Sequence, residues 1–284
     1  MRVVNLESVP LIERQHVREG TFSSRRILEG TPGKPGNFSL QIGVTPNYYS
    51  PRHRHNFDQV RYQLEGNFDF AADGVMKAGS IAYFPEGTYY GPQTSTTVNS
   101  TLVLQFGGAS GSGYISPEQY EKAAAELAKR GTFSKGVYTH LGPGGRKIHK
   151  DAYEAVWEQV NGRPLEYPPQ RYQHPIFMDP SNFQWIESSK RPGVSAKHLG
   201  GFSERRTRIA CFKVAPEGML DLEENSVYFV TRGFGAISTN GSNSPTNSFE
   251  RYTTIHLVVG DRATLSASGS EPAEVVHIRL PDFS

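Results

Sequence analysis

The sequence predicts an all-β protein with two barrels or sandwiches joined by a partly helical connector. Short segments of alternating apolar and polar residues, each ended by a turn signal, fill residues 26–106 and return over residues 183–280. Strands of this length and spacing are typical of antiparallel barrels and sandwiches. The stretch between the two runs contains the good helix formers. A length of 284 residues allows one large domain or two smaller ones.

The first run of strands is interrupted by short turns rich in glycine and proline. Turns are predicted at Gly66, at residues 72–74 and at residues 85–87, because these residue types favour tight turns. The predicted strands of this run are residues 26–28, 38–44, 48–63, 67–72, 80–84 and 96–106. The Gly/Ser-rich loop over residues 107–113 predicts the boundary of the first domain, which we place at residues 1–110.

The connector, residues 111–181, combines two predicted helices with a proline-rich stretch. Ser116 followed by Pro117 and, at the third helical position, Gln119 is typical of a helix N-terminus with a capping box. A second, shorter helix is predicted over residues 151–160. Residues 162–181 are rich in proline and predict irregular structure.

The second run of strands predicts a C-terminal domain over residues 182–284. A strand ending at Gly233 resembles the strand ending at Gly66, and the two glycines are 233 − 66 = 167 positions apart. We interpret this as a second copy of the first barrel. The predicted strands of this run are residues 183–186, 194–199, 206–214, 226–230, 235–238, 253–258, 263–265 and 273–280.

Residues 51–91 carry the strongest functional signal in the chain. His53 and His55 are two positions apart, so on an extended strand both would leave the same face, together with Gln59 and Arg61. Two imidazoles and an amide oxygen on one face are a plausible ligand set for a divalent metal. The segment closes with Pro85, Glu86 and Gly87.

This stretch resembles the two motifs of the cupin family, G(X)5HXH(X)3,4E(X)6G and G(X)5PXG(X)2H(X)3N. The residues that match in spacing are His53, His55, Gln59 and Gly66 in the first motif, and Gly79, Pro85, Gly87 and Tyr90 in the second. Three positions depart from the family pattern. Gln59 stands where the family has glutamate, Tyr90 where it has the last histidine, and Asn47 where it has the first glycine.

The resemblance implies a bicupin, with two jelly-roll-like β-barrels. It implies a metal site in the N-terminal barrel with His53, His55 and Gln59 as ligands, for iron, manganese, nickel or zinc. Counting back from Gly233 puts the ligand positions of the second barrel at residues 220, 222 and 226, which are leucine, leucine and serine. We therefore expect a ligand-free C-terminal barrel. The resemblance also suggests a homodimer.

Further residues of the first barrel are candidates for chemistry or substrate binding. Arg61 and Tyr90 are the candidate catalytic residues, Arg61 because a buried guanidinium requires an anionic partner, which is either a substrate carboxylate or a nearby Asp or Glu. Gln59 either bonds a metal or only lines the barrel, and Tyr90 either ligates the metal or hydrogen-bonds substrate. The expected substrate-binding residues are Gln63, Tyr83 and Phe70.

Composition and charge exclude several other classes of function. The net charge of +2 comes without a long basic run, so neither nucleic acid nor an anionic membrane is an expected partner. No apolar stretch reaches the length of a membrane span, and the N-terminus lacks the apolar core of a signal peptide. The expected location is therefore cytoplasmic. Cys211 is the only cysteine and lies in an apolar strand-like segment, where we expect a buried structural thiol.

Three hypotheses for function follow. The first is a metal-dependent oxidoreductase, similar to a dioxygenase, acting on a small organic or aromatic substrate in the N-terminal barrel. The second is an isomerase, lyase or cyclase that uses the same pocket without O2, with Arg61, Tyr90 and Gln59 positioning the substrate and moving protons. The third is a bicupin that binds a small molecule without catalysis.

Overall fold

A computed structural model describes residues 1–15, 21–239 and 247–283. The chain divides into two compact units, one of Leu11–Met178 and one of Asp179–Ser284 together with Met1–Pro10. Each unit contains one seven-stranded and one four-stranded sheet, and the strands within these sheets pair antiparallel. We call this pair of sheets the first barrel in the first unit and the second barrel in the other. The predicted all-β class is confirmed.

The first barrel holds the motif-bearing residues on its central strands. Its larger sheet has the order β15-β9-β6-β11-β4-β3-β2, and its smaller sheet has the order β5-β10-β7-β8. The larger sheet comprises β2 (Ile12–Gln15), β3 (Thr21–Glu29), β4 (Phe38–Thr45), β6 (Phe57–Glu65), β9 (Ile81–Phe84), β11 (Asn99–Gly107) and β15 (Ile176–Met178). The smaller sheet comprises β5 (Tyr48–Ser50), β7 (Asn67–Asp69), β8 (Val75–Lys77) and β10 (Gln93–Ser95).

The connector belongs to the first unit and is more ordered than the sequence predicts. Helix α1 (Pro117–Ala128) begins at the predicted capping box, in which the Ser116 hydroxyl accepts from the Gln119 backbone and the Gln119 side chain accepts from the Ser116 backbone. Helix α2 (Ala152–Asn161) has Asp151 as its N-cap. A three-stranded sheet that the sequence did not predict lies between them, with strands β12 (Gly131–Ser134), β13 (Val137–Leu141) and β14 (Lys147–Asp151).

The second barrel repeats the topology of the first. Its larger sheet has the order β1-β23-β20-β25-β18-β17-β16, and its smaller sheet has the order β19-β24-β21-β22. The larger sheet comprises β1 (Arg2–Asn5), β16 (Ile186–Glu187), β17 (Val194–Gly201), β18 (Arg208–Val214), β20 (Ser226–Arg232), β23 (Thr253–Leu257) and β25 (Ala273–Arg279). The smaller sheet comprises β19 (Met219–Leu222), β21 (Gly235–Thr239), β22 (Asn247–Phe249) and β24 (Ala263–Ala267).

The two sheet orders correspond strand by strand, which explains the glycine repeat. Strand β6 lies between β9 and β11, and β20 lies between β23 and β25. Gly66 follows β6 with φ of 70°, and Gly233 follows β20 with φ of 83°. Both glycines hold a left-handed conformation that favours residues without a Cβ.

In both barrels the edge of the larger sheet is completed by a strand from elsewhere in the chain, β15 beside β9 and β1 beside β23.

The sequence predicted that the histidine pair lies on an extended strand, and the structure shows that it does not. The predicted strand over residues 48–63 is divided into β5 and β6, and residues 51–56 form an irregular segment between them. His53 makes an isolated bridge to Tyr90 within this segment. Pro51 follows the end of β5, because proline cannot donate to a strand ladder.

The cores of the two barrels differ where chemistry is expected. In the second barrel, Leu220 and Leu222 are buried in an apolar cluster, so two of the three positions that correspond to the ligands of the motif are filled by hydrocarbon. In the first barrel, an aromatic cluster that includes Phe70, Phe84 and Tyr90 lies beside polar side chains.

Within the described part of the chain, neither the length nor the apolar character of any helix suffices for a membrane span.

Candidate active site in the first barrel

The irregular segment before β6 places His53 directly opposite Tyr90. The backbone N–H of His53 donates to the Tyr90 carbonyl at 3.1 Å, and the Tyr90 N–H donates to the His53 carbonyl at 2.9 Å. This pairing brings the two rings to a centroid distance of 4.5 Å. The His53 Nε2 atom then lies 3.0 Å from the Tyr90 hydroxyl.

The hydrogen bonds of His53 define where its proton lies. Its Nδ1 atom lies 2.6 Å from the Pro51 carbonyl oxygen, which can only accept a hydrogen bond. Nδ1 must therefore carry the proton. In the neutral ring Nε2 then has a lone pair, so it accepts the proton of the Tyr90 hydroxyl. His53 is thus arranged as a base toward Tyr90.

The Tyr90 hydroxyl oxygen accepts two further hydrogen bonds from β6. Gln59 Nε2 donates to it at 3.0 Å and Arg61 Nη2 at 3.3 Å. The orientation of the Gln59 amide follows from Arg61, which only donates. Its Nη2 and Nε lie 3.0 and 3.3 Å from Gln59 Oε1, so the amide nitrogen must face Tyr90. Tyr90 is 1% exposed, so these bonds form away from bulk water.

Arg61 is a buried cation whose bonding partners are neutral. Its Nη1 donates to Gln93 Oε1 at 2.9 Å, and its other partners are Gln59 and Tyr90. Its guanidinium carbon lies 4.4 Å from the centroid of the Phe84 ring, a cation–π distance. Among the residues that the structure describes, no ion pair includes Arg61. The positive charge therefore remains available to a ligand.

His55 is held by the connector as well as by the barrel. Its ring stacks on Phe57 at a centroid distance of 4.4 Å and meets the edge of Tyr153 from α2 at 5.1 Å. The Tyr153 hydroxyl also donates to Asn56 Oδ1 at 2.8 Å. The two imidazoles lie edge to face with centroids 4.9 Å apart. Helix α2 therefore fixes one side of the histidine pair.

These side chains open onto a cavity of about 160 Å³. Its polar wall includes His53, His55, Arg61, Tyr90, Gln93 and Gln105. The rest of the wall comes from Gln41, Gly43 and Thr45 on β4, from Thr101 and Val103 on β11, and from Phe22, Tyr48 and Phe68. The cavity has room for only a small molecule, since liquid water occupies about 30 Å³ per molecule.

The structure brings together five of the eight candidate residues and places three elsewhere. His53, His55, Gln59, Arg61 and Tyr90 form the cluster described above. Gln63 bonds Asn99 and Thr101 and is not part of the cavity wall. Phe70 packs behind Arg61 and Phe84. Tyr83 faces the opposite side of the sheet, where its hydroxyl donates to Asp58 Oδ2 at 2.8 Å.

A buried carboxylate pair on that opposite face was missed by the sequence reasoning. Asp58 accepts from Tyr83 and from the Glu86 backbone, and Glu86 accepts from Ser110 and from Arg171 Nη2 at 3.0 Å. Neither carboxylate is exposed. Burial, followed by the charge of Glu86, raises the pKa of Asp58 from 3.8 to about 7. The signal in the sequence was Asp58, since alternation along β6 places it on the face opposite Gln59 and Arg61.

The third ligand expected for a divalent metal ion is already engaged by a protein group. No group of three or more His, Cys, Asp or Glu side chains arranged for a metal occurs within residues 1–15, 21–239 and 247–283. The third expected ligand atom, Gln59 Oε1, already accepts from Arg61. An ion bonded to that oxygen would lie within about 5 Å of the guanidinium, and the repulsion would be roughly 7 kcal/mol at an effective dielectric constant of ~20.

The two buried histidines of the second barrel are hydrogen-bonded to neighbouring side chains, His277 to Ser226 and His256 to Arg2. His277 is 2% exposed and its Nε2 lies 3.0 Å from the Ser226 hydroxyl. Burial lowers the pKa of His277 to about 3. Burial and the charge of Arg2 lower the pKa of His256 to about 4. Both histidines are therefore neutral members of the wall at ordinary pH.

Solved structures share this fold over the whole chain. A candidate dioxygenase from Nostoc punctiforme has a TM-score of 0.60 at 11% identity, covering 100% of this chain and 83% of its own. A variant of Bacillus subtilis oxalate decarboxylase has a TM-score of 0.55 at 14% identity, and the match covers 99% of this chain and 78% of the decarboxylase chain. The Lactobacillus farciminis oxalate decarboxylase has a TM-score of 0.56 at 11% identity, and the match covers 99% of this chain and 87% of the decarboxylase chain. No family model and no curated protein matches the sequence. The chain has the cupin fold that its motifs suggested, with two copies of it.

Proposed function

We propose that the first barrel is the active site of an enzyme that moves a proton on a small organic molecule, in an isomerase, lyase or cyclase type of reaction. The observation that carries the proposal is the Tyr90 hydroxyl, which donates to His53 and accepts from Gln59 and Arg61. A phenol with a base at its proton and two donors at its oxygen is arranged for proton transfer.

Each residue has a distinct part in such a reaction. Tyr90 takes a proton from a carbon next to a carbonyl group while its own proton passes to His53 Nε2. Gln59 and Arg61 stabilise the negative charge on the Tyr90 oxygen during the transfer, because their N–H groups already point at it. His55 lines the same cavity and is placed to return a proton to the substrate. The buried position of Tyr90 excludes bulk water from the transfer.

Hydrogen–deuterium exchange tests the proposal without knowledge of the product. The purified protein, dialysed against EDTA, is incubated anaerobically in D2O with a panel of small ketones, 2-oxo acids and 3-oxo acids, and exchange at carbon is followed by NMR. We expect exchange in at least one panel member, and its loss in Tyr90→Phe by at least about 100-fold. Tyr89→Phe is the matched control, because Tyr89 is the exposed neighbour of Tyr90. Exchange that is unchanged in Tyr90→Phe would overturn the proposal.

The metal-dependent oxidoreductase is the second candidate, favoured by the two imidazoles that line one cavity 4.9 Å apart. Metal analysis and oxygen uptake distinguish it from the first. Stoichiometric iron, manganese, nickel or zinc in the purified protein, lost in His53→Ala and accompanied by oxygen consumption during turnover, would favour this candidate. Full activity without oxygen and after EDTA treatment would favour proton transfer.

A further inference from the structure

We infer that the first barrel binds small organic monocarboxylates, with the carboxylate group against Arg61 and Gln93 and the carbon chain directed toward Gly43 and Thr45. The inference names the substrate class of the site proposed above and so rests on that proposal. It comes from the charge, the spare donors and the shape of the cavity.

The charge of Arg61 requires an anion that the barrel does not supply. Arg61 is 9% exposed, and the bonds of its guanidinium go to the neutral oxygens of Gln59, Gln93 and Tyr90. A guanidinium has five N–H donors, and these contacts use one on Nε, two on Nη2 and one on Nη1. One N–H on Nη1 therefore remains for a ligand. A buried cation is stabilised strongly when an anion reaches it.

Two further donors on the cavity wall have no partner within the described part of the chain. Gln93 is 4% exposed and uses only its oxygen, toward Arg61, so its amide N–H groups remain open to the cavity. The Thr45 hydroxyl is buried without a hydrogen bond on the same wall. Buried donors and acceptors without partners are rare in folded proteins, and a ligand that supplies the partners explains them.

The lining limits the ligand to one negative charge. Arg61 is the only Lys or Arg among the described residues that line the cavity, and no other full charge balances a second carboxylate. A dicarboxylate would bury its second anionic group against neutral and aromatic side chains, which is costly. We therefore expect dicarboxylates such as glutarate and oxalate to bind worse than a monocarboxylate.

The shape of the cavity sets the direction of the carbon chain. Gln41, Gly43 and Thr45 alternate inward along β4, and register places Gln41 and Arg61 on either side of Val103. Gln41 and Thr45 are therefore about 13 Å apart along the strand. A Cβ at Gly43, between them, would meet no atom within 4 Å, so this part of the wall is open. A chain of four to six carbons fits this direction.

Calorimetric titration with valerate, its neutral amide and glutarate tests the inference. We expect valerate to bind at least about tenfold more tightly than either analogue, since hydrogen bonds to charged groups contribute more than neutral ones. Arg61→Met should lose the preference for valerate over the amide. Gly43→Val, which fills the open part of the cavity without touching the bonds of Arg61, should abolish binding of all three. Arg146→Met removes an exposed arginine of the connector and serves as the charge control.

The outcomes separate this inference from the proposed function. Equal affinity for valerate and its amide, or unchanged valerate binding in both Arg61→Met and Gly43→Val, would overturn the monocarboxylate assignment. If Arg61→Met fails to fold, the Gly43→Val result and the comparison of valerate with its amide still decide. Tight valerate binding with no exchange in D2O for any panel member would support this inference and overturn the proton-transfer function.

Discussion

Replacing Asp58 by Asn should change how the stability of the first unit depends on pH. The carboxyl is buried against Tyr83 and Glu86, and its pKa rises from 3.8 to about 7. Between these two values the unfolded chain has lost the proton and the native Asp58 keeps it, so stability falls as pH rises, by about 1.4 kcal/mol per unit. The loss is complete above pH ~7 and amounts to about 4 kcal/mol. Asn resembles the protonated form and does not titrate.

We therefore expect Asp58→Asn to match the parent protein near pH 4 and to exceed it by about 4 kcal/mol at pH 8. Urea denaturation at pH 4.5, 6 and 8 measures the difference. The chain has two tryptophans, and in a Trp185→Phe background the remaining Trp157 reports on the first unit alone. Glu65→Gln removes an exposed carboxylate from the same strand and corrects for the lost charge. A difference that stays constant from pH 4.5 to pH 8 would refute the reasoning.

Three further predictions concern other parts of the fold. Gly66→Ala should destabilise the first barrel by more than Gly79→Ala. Both glycines hold positive φ, which costs about 1–2 kcal/mol for Ala. Only at Gly66 would the added Cβ collide with the Val98 carbonyl oxygen. Equal losses in urea denaturation would contradict this. Because burial raises the pKa of Cys211 to about 12, the thiol should resist a thiol reagent at pH 8 until the protein is unfolded in urea, and rapid labelling of the native protein would be inconsistent with the structure. The buried neutral His277, with a pKa of about 3, contributes stability that is complete above pH ~6.5 and is lost as the pH falls toward 3. His277→Gln should reduce this slope by up to about 1.4 kcal/mol per unit, and an unchanged slope between pH 4 and 6 would contradict the assignment.

The location of the candidate site was predictable because its residues are close in sequence. The motif residues His53, Gln59 and Gly66 lie on or beside β6, and Pro85 and Tyr90 follow β9, which pairs with β6. Strand alternation also placed Gln59 and Arg61 on one face, and the structure confirms that they lie together. The bond between them could have been inferred from that alternation, since side chains two apart on a strand are neighbours.

The remaining parts of the site depend on register, which alternation within one strand does not determine. Pairing sets Phe84 opposite Gln59 and Tyr83 opposite Val60, so Phe84 faces inward and Tyr83 faces outward toward Asp58. Thr45 comes from β4, on the far side of β11 from Arg61. No local pattern in the sequence predicts that such distant residues share a wall.

The edge strands of the two larger sheets also could not be predicted from local sequence patterns. Strand β15 follows two helices and still returns to pair with β9, and β1 precedes the first barrel and pairs with β23. Each covers an edge that would otherwise expose unpaired backbone groups. Both segments are short and carry no strong alternation, so tertiary contacts rather than local propensity determine their structure.

The departures from the motif, taken with Arg61, leave the net charge of the site at the value that the family pattern with an ion would give. A site with the family's glutamate and a divalent ion would carry one net positive charge, −1 from the carboxylate and +2 from the ion. Here Gln59 is neutral and Arg61 contributes +1, so the cavity has the same net charge from protein groups alone. An anionic substrate would meet a similar electrostatic attraction in both arrangements, because that attraction depends on the net charge nearby. In the proposed site, a guanidinium orients the anion and stabilises charge, and the proton moves through Tyr90 and His53. The neutral Gln59, the phenol of Tyr90 and the charge of Arg61 are therefore consistent with that proposal, in which an arginine attracts the anion.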